Sequence, residues 1–183
     1  MSVFTNAYEG AEAEADDYIG AVLALVGDRD PVEILYQLPG ALEALTNGVA
    51  ESKIRTAEGE GKWSMLEVLA HLADSELVWA YRLRMVLAEA DPVLTGYDQD
   101  RWAEYLHYQE RDAAATLEEI RFLRGRNLEL LSQLAEDEFE RSGRHSERGE
   151  ETIRHMVRLY AGHDLVHCQQ LARIRAKVLD EDT

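Results

Sequence analysis

Apolar residues recur along most of this chain at spacings of three and four, the pattern of helices that bury one face. After a frayed start over residues 1 to 11, a helix is expected from about Glu12 to Val26, with Ile19, Val22, Leu23 and Val26 on one side and Gly27 as its stop. Asp30-Pro31 restarts the chain in the N-cap and first-position arrangement. Proline lacks the N–H that a helix interior needs, so the sequence predicts a short helix over 31 to 38 and a new one beginning at Pro39 with Leu42, Leu45 and Val49. The polar stretch 50 to 62, with Gly59 and Gly61, reads as a loop.

The next helix is announced by a capping box, Ser64 and Glu67, inside a hydrophobic staple of Trp63 and Val68. Leu66, Leu69, Ala73, Leu77, Ala80 and Leu87 form its expected inward stripe, ending near Asp91-Pro92. A more polar column lies beside that stripe: Glu67, His71, Asp74 or Ser75, Val78 and Arg82. It is either the solvated edge of the helix or one wall of a site. Residues 91 to 111 read as a crossover with a helical turn near Trp102 to Leu106, long enough to join helices that are not hairpin neighbours and to cover a pocket. A third long helix is expected from Ala113 to Ala135, with Leu117, Ile120, Leu128, Leu131 and Leu134 inward. Arg121 and Arg124 fall on or near that stripe, where an arginine requires a carboxylate or an anionic ligand. Residues 136 to 149 read as a charged turn region, and the last helix runs from Thr152 to about Leu179. The expected fold is all-α: one domain over 1–183 whose four long helices form a bundle.

Composition narrows the function classes. At 183 residues the chain can bury a core without disulfides or structural metal. Its single cysteine, Cys168, has no internal partner, and the acidic N-terminal stretch does not resemble a signal peptide, so a cytoplasmic location is expected. No apolar run approaches the roughly 18 residues of a membrane span. A formal charge of −17 repels phosphate backbones and anionic lipid, which argues against nucleic-acid and membrane partners but by itself names no other; a small-molecule substrate is what the candidate site chemistry implies.

The chemistry concentrates in the last helix. His163 and His167 stand four residues apart, so both rings share one helix face and can converge on a single ion. Two unpartnered core imidazoles would each cost about 1–3 kcal/mol, so something must satisfy them: neighbouring hydrogen-bond partners or a metal. His71 is a third histidine on an otherwise buried helix. Three protein ligands leave a fourth position open, as in catalytic zinc sites. Cys168 follows His167 directly and points about 100° away around the helix, which weakens a Cys-His nucleophile. His107 and His145 fall in loops, and His155 is displaced around the helix from His163.

The run Gly61-Lys62-Trp63-Ser64 through Glu67 to Glu76, then Arg82, resembles the first signature of the DinB-like (DinB/YfiT) superfamily. Asp98-Gln99-Asp100, the helix around Arg124, the segment His145 to Gly149 and Gly162-His163-Asp164-Leu165-Val166-His167 extend the resemblance over roughly residues 31 to 178, with 1–30 as a helical extension. It implies an up-up-down-down four-helix bundle and a divalent ion, zinc or nickel, on His71, His163 and His167. It also implies a metal-dependent hydrolase or a thiol S-transferase using mycothiol, bacillithiol or glutathione. Asp74, Glu76 and Asp164 are then candidates for orienting ligand N–H groups or moving a proton, and Arg82 and Arg124 for holding an anionic substrate group. The alternative is a non-catalytic, stress-associated bundle that binds metal or a small molecule. A homodimer is also implied, through the spare apolar positions Leu25, Val32, Leu38 and Leu106.

Overall fold

Helix starts and stops fall largely where the capping residues place them. The computed structural model describes residues 11–180, so the frayed start lies almost wholly outside them. Helix α1, Ala11–Val26, ends at Gly27, whose φ of 56° is the left-handed conformation that closes a helix with little strain in glycine. Asp30 caps α2, Pro31–Thr46, its side chain accepting from the Val32 N–H at 2.9 Å. The break expected at Pro39 does not occur, and α2 runs through it. Pro39 removes the N–H that the Leu35 carbonyl would accept, and the Arg124 guanidinium donates to that carbonyl instead, at 2.9 Å.

The short helix α3, Glu51–Ile54, interrupts the expected loop before α4, Met65–Ala88. The α4 cap forms as the sequence specifies, with Glu67 N–H donating to Ser64 Oγ at 3.2 Å and Ser64 N–H to Glu67 Oε2 at 2.8 Å. The crossover holds a short strand β1, Val93–Leu94, helix α5, Gln99–Tyr105, and a 3-10 turn at Tyr108–Glu110. Helix α6 spans Ala113–Ser132 and α7 spans Ile153–Asp180. Between them the charged turn region contains a 3-10 turn at Glu136–Glu140 and a hairpin of β2, Ser142–His145, and β3, Gly149–Thr152. β1 adds to β2 in parallel, pairing Val93 with Arg144 and Leu94 with His145, which makes a three-stranded sheet that the sequence does not announce.

The bundle consists of α2, α4, α6 and α7. Arg124 and Asn127 of α6 meet Glu76 of α4, and Asn127 also meets Arg84, so α4 and α6 ascend together, which is why a long crossover must join them. Arg158 meets Gly27 just ahead of α2, and Arg175 meets Leu45 near its end, so α2 and α7 run parallel to each other. Tyr160 of α7 meets Ser75 while His163 meets His71, so this second pair runs opposite to the first. Two helices thus run each way, with like directions adjacent around the ring. In chain order the directions come as up, down, down, up, not as up-up-down-down.

One apolar cluster lies at one end of the bundle, built from Leu38, Leu42, Leu69, Leu72, Ile120, Leu171 and Ile174. A second occupies the other end, with Leu35, Trp79, Leu83, Val86, Leu131 and Ile153. Between these clusters three of the bundle helices carry buried polar side chains: Asp74, Ser75 and Glu76 on α4, Arg124 and Asn127 on α6, and Asp164, His167 and Gln170 on α7. Two expectations change. Leu77 is 47% exposed, and Trp79, Leu83 and Val86 fill the core in place of Leu77, Ala80 and Leu87, because α4 turns a different face inward beyond the polar layer. Leu38 lies in the core and is not spare for a dimer, whereas Val32 and Leu106 are exposed. Helix α1 packs on α7 at Gly162, where a Cβ would stand 2.3 Å from Val22 Cγ1 and 2.5 Å from the Val22 carbonyl oxygen. No described helix is long and apolar enough to cross a membrane.

Candidate metal centre

The capping box starts α4 so that His71 comes two turns later on the face toward α7. Helix α7 presents His163 and His167 one turn apart. The potential ligand atoms of these three residues lie within 4.8 Å of one another. His71 Nε2 and His163 Nε2 are 3.1 Å apart. Two nitrogens bound at 2.0–2.1 Å to one tetrahedral ion would be separated by about 3.3 Å. Burial holds all three rings neutral: the pKa values of His71 and His163 lie well below the ordinary value, and that of His167 is lowered to about 4. His71 Nδ1 and His163 Nδ1 have no hydrogen-bond partner among the described residues. His167 Nδ1 lies 2.9 Å from Gln170 Oε1, which fixes the proton on Nδ1 and leaves Nε2 as the lone-pair nitrogen. Three neutral imidazoles, two buried and that of His163 half-buried, with converging nitrogens are a donor set that fits a divalent transition metal.

The polar column of α4 is a buried wall. Ser75 Oγ lies 3.4 Å from His71 Nε2 and 3.2 Å from the Tyr97 hydroxyl, while the Tyr160 hydroxyl donates to the Ser75 carbonyl. Trp63, the staple residue, also stands against the His71 ring at a centroid distance of 5.1 Å. Asp74 accepts from the Tyr108 hydroxyl and from Arg111, both at 2.7 Å, and so ties the end of the crossover to α4. Gln109 donates to Ser64 Oγ at 3.0 Å, bracing the α4 cap from the same segment.

Glu76 and Asp164 face away from the ring nitrogens and share Arg124. The guanidinium donates Nε to Glu76 at 2.9 Å, Nη1 to Asp164 at 2.6 Å and Nη2 to both carboxylates, in addition to its bond to Leu35. One side chain thus joins all four bundle helices. Burial works to lower the Arg124 pKa, but the two carboxylates prevail and raise it. Burial pushes the Asp164 carboxyl up to about 6 despite the guanidinium. Arg82 is 7% exposed and donates to the Thr95 carbonyl at 2.5 Å, with no carboxylate in ion-pair range among the described residues. Arg121 is instead exposed and pairs with Glu43 and Glu118. Cys168 is partly buried beside the core, its thiol pushed up to about 12 by burial, and it is not part of the histidine cluster. The sequence did not single out Gln170, Tyr97 or Tyr160. Gln170, three residues after His167, was the readable signal, because that spacing lets a side chain meet the ring on one helix face.

A sequence profile of the family described as the DinB superfamily matches residues 34–171. The chain belongs to the DinB superfamily. Among its relatives is a Bacillus subtilis protein named "Putative metal-dependent hydrolase YfiT", 27% identical over 146 residues that cover 78% of this chain and 82% of the relative. A Halalkalibacterium halodurans protein, also named as a metal-dependent hydrolase with the same qualifier, is 30% identical over 143 residues, covering 76% of this chain and 82% of that one. The solved structure of YfiT from Bacillus subtilis, described as a four-helix bundle of unusual topology, shares the fold with a TM-score of 0.74 at 23% identity. It covers 91% of this chain and 89% of that one.

Proposed function

We propose that this chain is a metal-dependent hydrolase whose divalent ion, zinc or nickel, is held by His71, His163 and His167. The observation that carries this is the convergence of three neutral imidazoles from two antiparallel helices, two buried and one half-buried, with His71 Nε2 and His163 Nε2 only 3.1 Å apart. The names of its DinB superfamily relatives agree with it. When bound, such an ion supplies Lewis acidity and lowers the pKa of a coordinated water toward about 7. Three protein ligands leave room for that water and for substrate.

The remaining work belongs to the chain. Gln170 holds His167 in the Nδ1–H tautomer. Ser75 Oγ lies beside His71 and within 3.2 Å of the Tyr97 hydroxyl, from which it can accept while its own O–H is free to donate to a bound group. Asp74, Glu76 and Asp164 position rather than transfer, because each is already held by a tyrosine or arginine. Trp63 and the aromatic pair Tyr97 and Trp102 keep bulk water from the rings. A thiol S-transferase would use the same ion to hold mycothiol, bacillithiol or glutathione as thiolate. The relatives' names favour hydrolysis over that reading and over a non-catalytic binding module.

The test is elemental analysis of the purified protein and of its His71→Ala, His163→Ala and His167→Ala variants, followed by a screen of esters and amides with a parallel thiol-conjugation arm. About one ion per chain, lost in each variant while helical circular dichroism persists, with hydrolysis that returns on metal addition to the wild type, is the expected outcome. Metal retained after two of the histidines are removed would overturn the ligand assignment. Conjugation without hydrolysis would replace the reaction.

A further inference from the structure

Among the described residues, an unsatisfied donor and a buried guanidinium without a carboxylate in ion-pair range lie together where the crossover meets the hairpin. Arg82 reaches from α4 to the carbonyl of Thr95, the residue after Leu94, and Leu94 pairs with His145 across the β1–β2 ladder. Arg82 and His145 therefore meet at the same end of the sheet. His145 is 2% exposed; its Nδ1 accepts the Glu147 N–H at 3.2 Å, so its proton resides on Nε2, and that atom has no partner among the described residues. Burial first, then the positive charges of Arg148 and Arg82, keep this ring neutral, which also places it within the field of both guanidiniums. The nearby carboxylate, Glu151, is gripped by Arg148 at 2.5 and 3.0 Å and makes no ion pair with Arg82. The Tyr97 hydroxyl lies within the field of Arg82 and stands 3.2 Å from Ser75 Oγ, which is beside His71.

A guanidinium cannot shed its charge, and a buried N–H without an acceptor carries the full desolvation cost. Both are relieved by the same thing, an oxyanion that accepts from Arg82, His145 Nε2–H and Tyr97. Arg124 does not compete for it, since its donors are already spent on Glu76, Asp164 and Leu35. We propose that Arg82, His145 and Tyr97 form an anion subsite beside the three-histidine cluster, and that the substrate carries a carboxylate or phosphate group several bonds from the group that is hydrolysed. As a substrate class this rests on the hydrolase reading; as an anion site it does not.

The experiment separates the two. Inorganic phosphate and acetate are titrated by calorimetry into metal-free protein, where neither can bind to an ion, for the wild type and for Arg82→Gln, Arg82→Lys and His145→Phe. The proposal expects wild-type binding that is weakened about 10- to 100-fold in Arg82→Gln and His145→Phe, partly kept in Arg82→Lys, and unchanged in Arg121→Gln, which removes an exposed guanidinium paired with Glu43 and Glu118. The preferred anion identifies phosphate or carboxylate as the substrate group. Matched esters with and without that anion are then compared on metal-loaded enzyme, where the anionic member should be favoured in kcat/KM and the preference lost in Arg82→Gln. Should an Arg82 variant fail to fold, His145→Phe alone decides the binding arm. Wild-type protein that binds neither anion, or variants that bind both equally well, overturns the subsite. Anion binding with the expected losses but no hydrolysis of any ester removes the hydrolase reading and leaves the subsite standing.

Discussion

Replacing Arg124 with methionine keeps much of the side chain's length and apolar body but removes five donated hydrogen bonds and the charge that Glu76 and Asp164 share. The two carboxylates then have a choice between staying ionised in the interior and taking up a proton. Protonating a carboxyl of ordinary pKa at pH 7 costs about 4 kcal/mol at 1.36 kcal/mol per pH unit, which caps the penalty for each group. Removing one partner of a buried ion pair costs about 3–5 kcal/mol, so Arg124→Met should lose that much at pH 7. The loss should also shrink on acidification. The folded variant can hold a proton that its unfolded chain releases above the ordinary carboxyl pKa, so the gap to wild type narrows as pH falls from 7, most steeply above pH 6, below which the Asp164 carboxyl of the wild type takes up a proton as well. Urea unfolding followed by circular dichroism at pH 7, 6 and 5 measures both quantities. A loss below about 1 kcal/mol at pH 7, or one that does not change with pH, would refute the claim that this guanidinium neutralises two buried carboxylates.

Gly162→Ala should destabilise by about 1–3 kcal/mol, because the new methyl meets Val22 backbone as well as side chain; adding Val22→Ala should restore only part of the loss in a thermal melt. Ser64→Ala should cost about 0.5–2 kcal/mol by chemical denaturation and loosen the Gln109 segment, seen as faster amide exchange there. Metal-free protein should lose stability as pH falls from about 6.5 to 4. His167, held at about 4 when folded, takes a proton in the unfolded chain first, a linkage of about 3 kcal/mol that His71 and His163 reinforce and the raised Asp164 partly offsets. Flat stability over that range would mean the rings are not buried in neutral form.

What could be read from the sequence was local chemistry. The α4 cap and staple need only residues 63 to 68, and they form as written. The pairing of His163 with His167 needs only helical spacing. Pro39 misled because the rule for proline counts donors within the helix, whereas here the orphaned carbonyl is satisfied by Arg124, far along the chain. The inward stripe of α4 drifted because apolar periodicity does not show which neighbouring helix a face meets, so it favours Leu77 where the structure buries Trp79. The sheet went unseen because Ser142–His145 and Gly149–Thr152 are short, charged and largely without the β-branched residues that mark a strand. The supports of the candidate site, Tyr97 and Ser75 above all, come together only through the crossover.

The buried polar layer also determines which arrangement of the bundle is possible. Apolar side chains at the two ends would tolerate a helix sliding by one turn, since leucine meets leucine again after about 5.4 Å. The layer does not tolerate it. A slide of that size in any one helix separates Arg124 from its partner on that helix and strands a charge or a carbonyl without solvent. For α4 or α7 the same slide would carry the histidine rings past one another. Registers that hydrophobic contacts alone would leave nearly equal in energy are thereby set apart, and the alignment of α4 with α7 on which the candidate metal centre depends is determined by groups that never touch the ion.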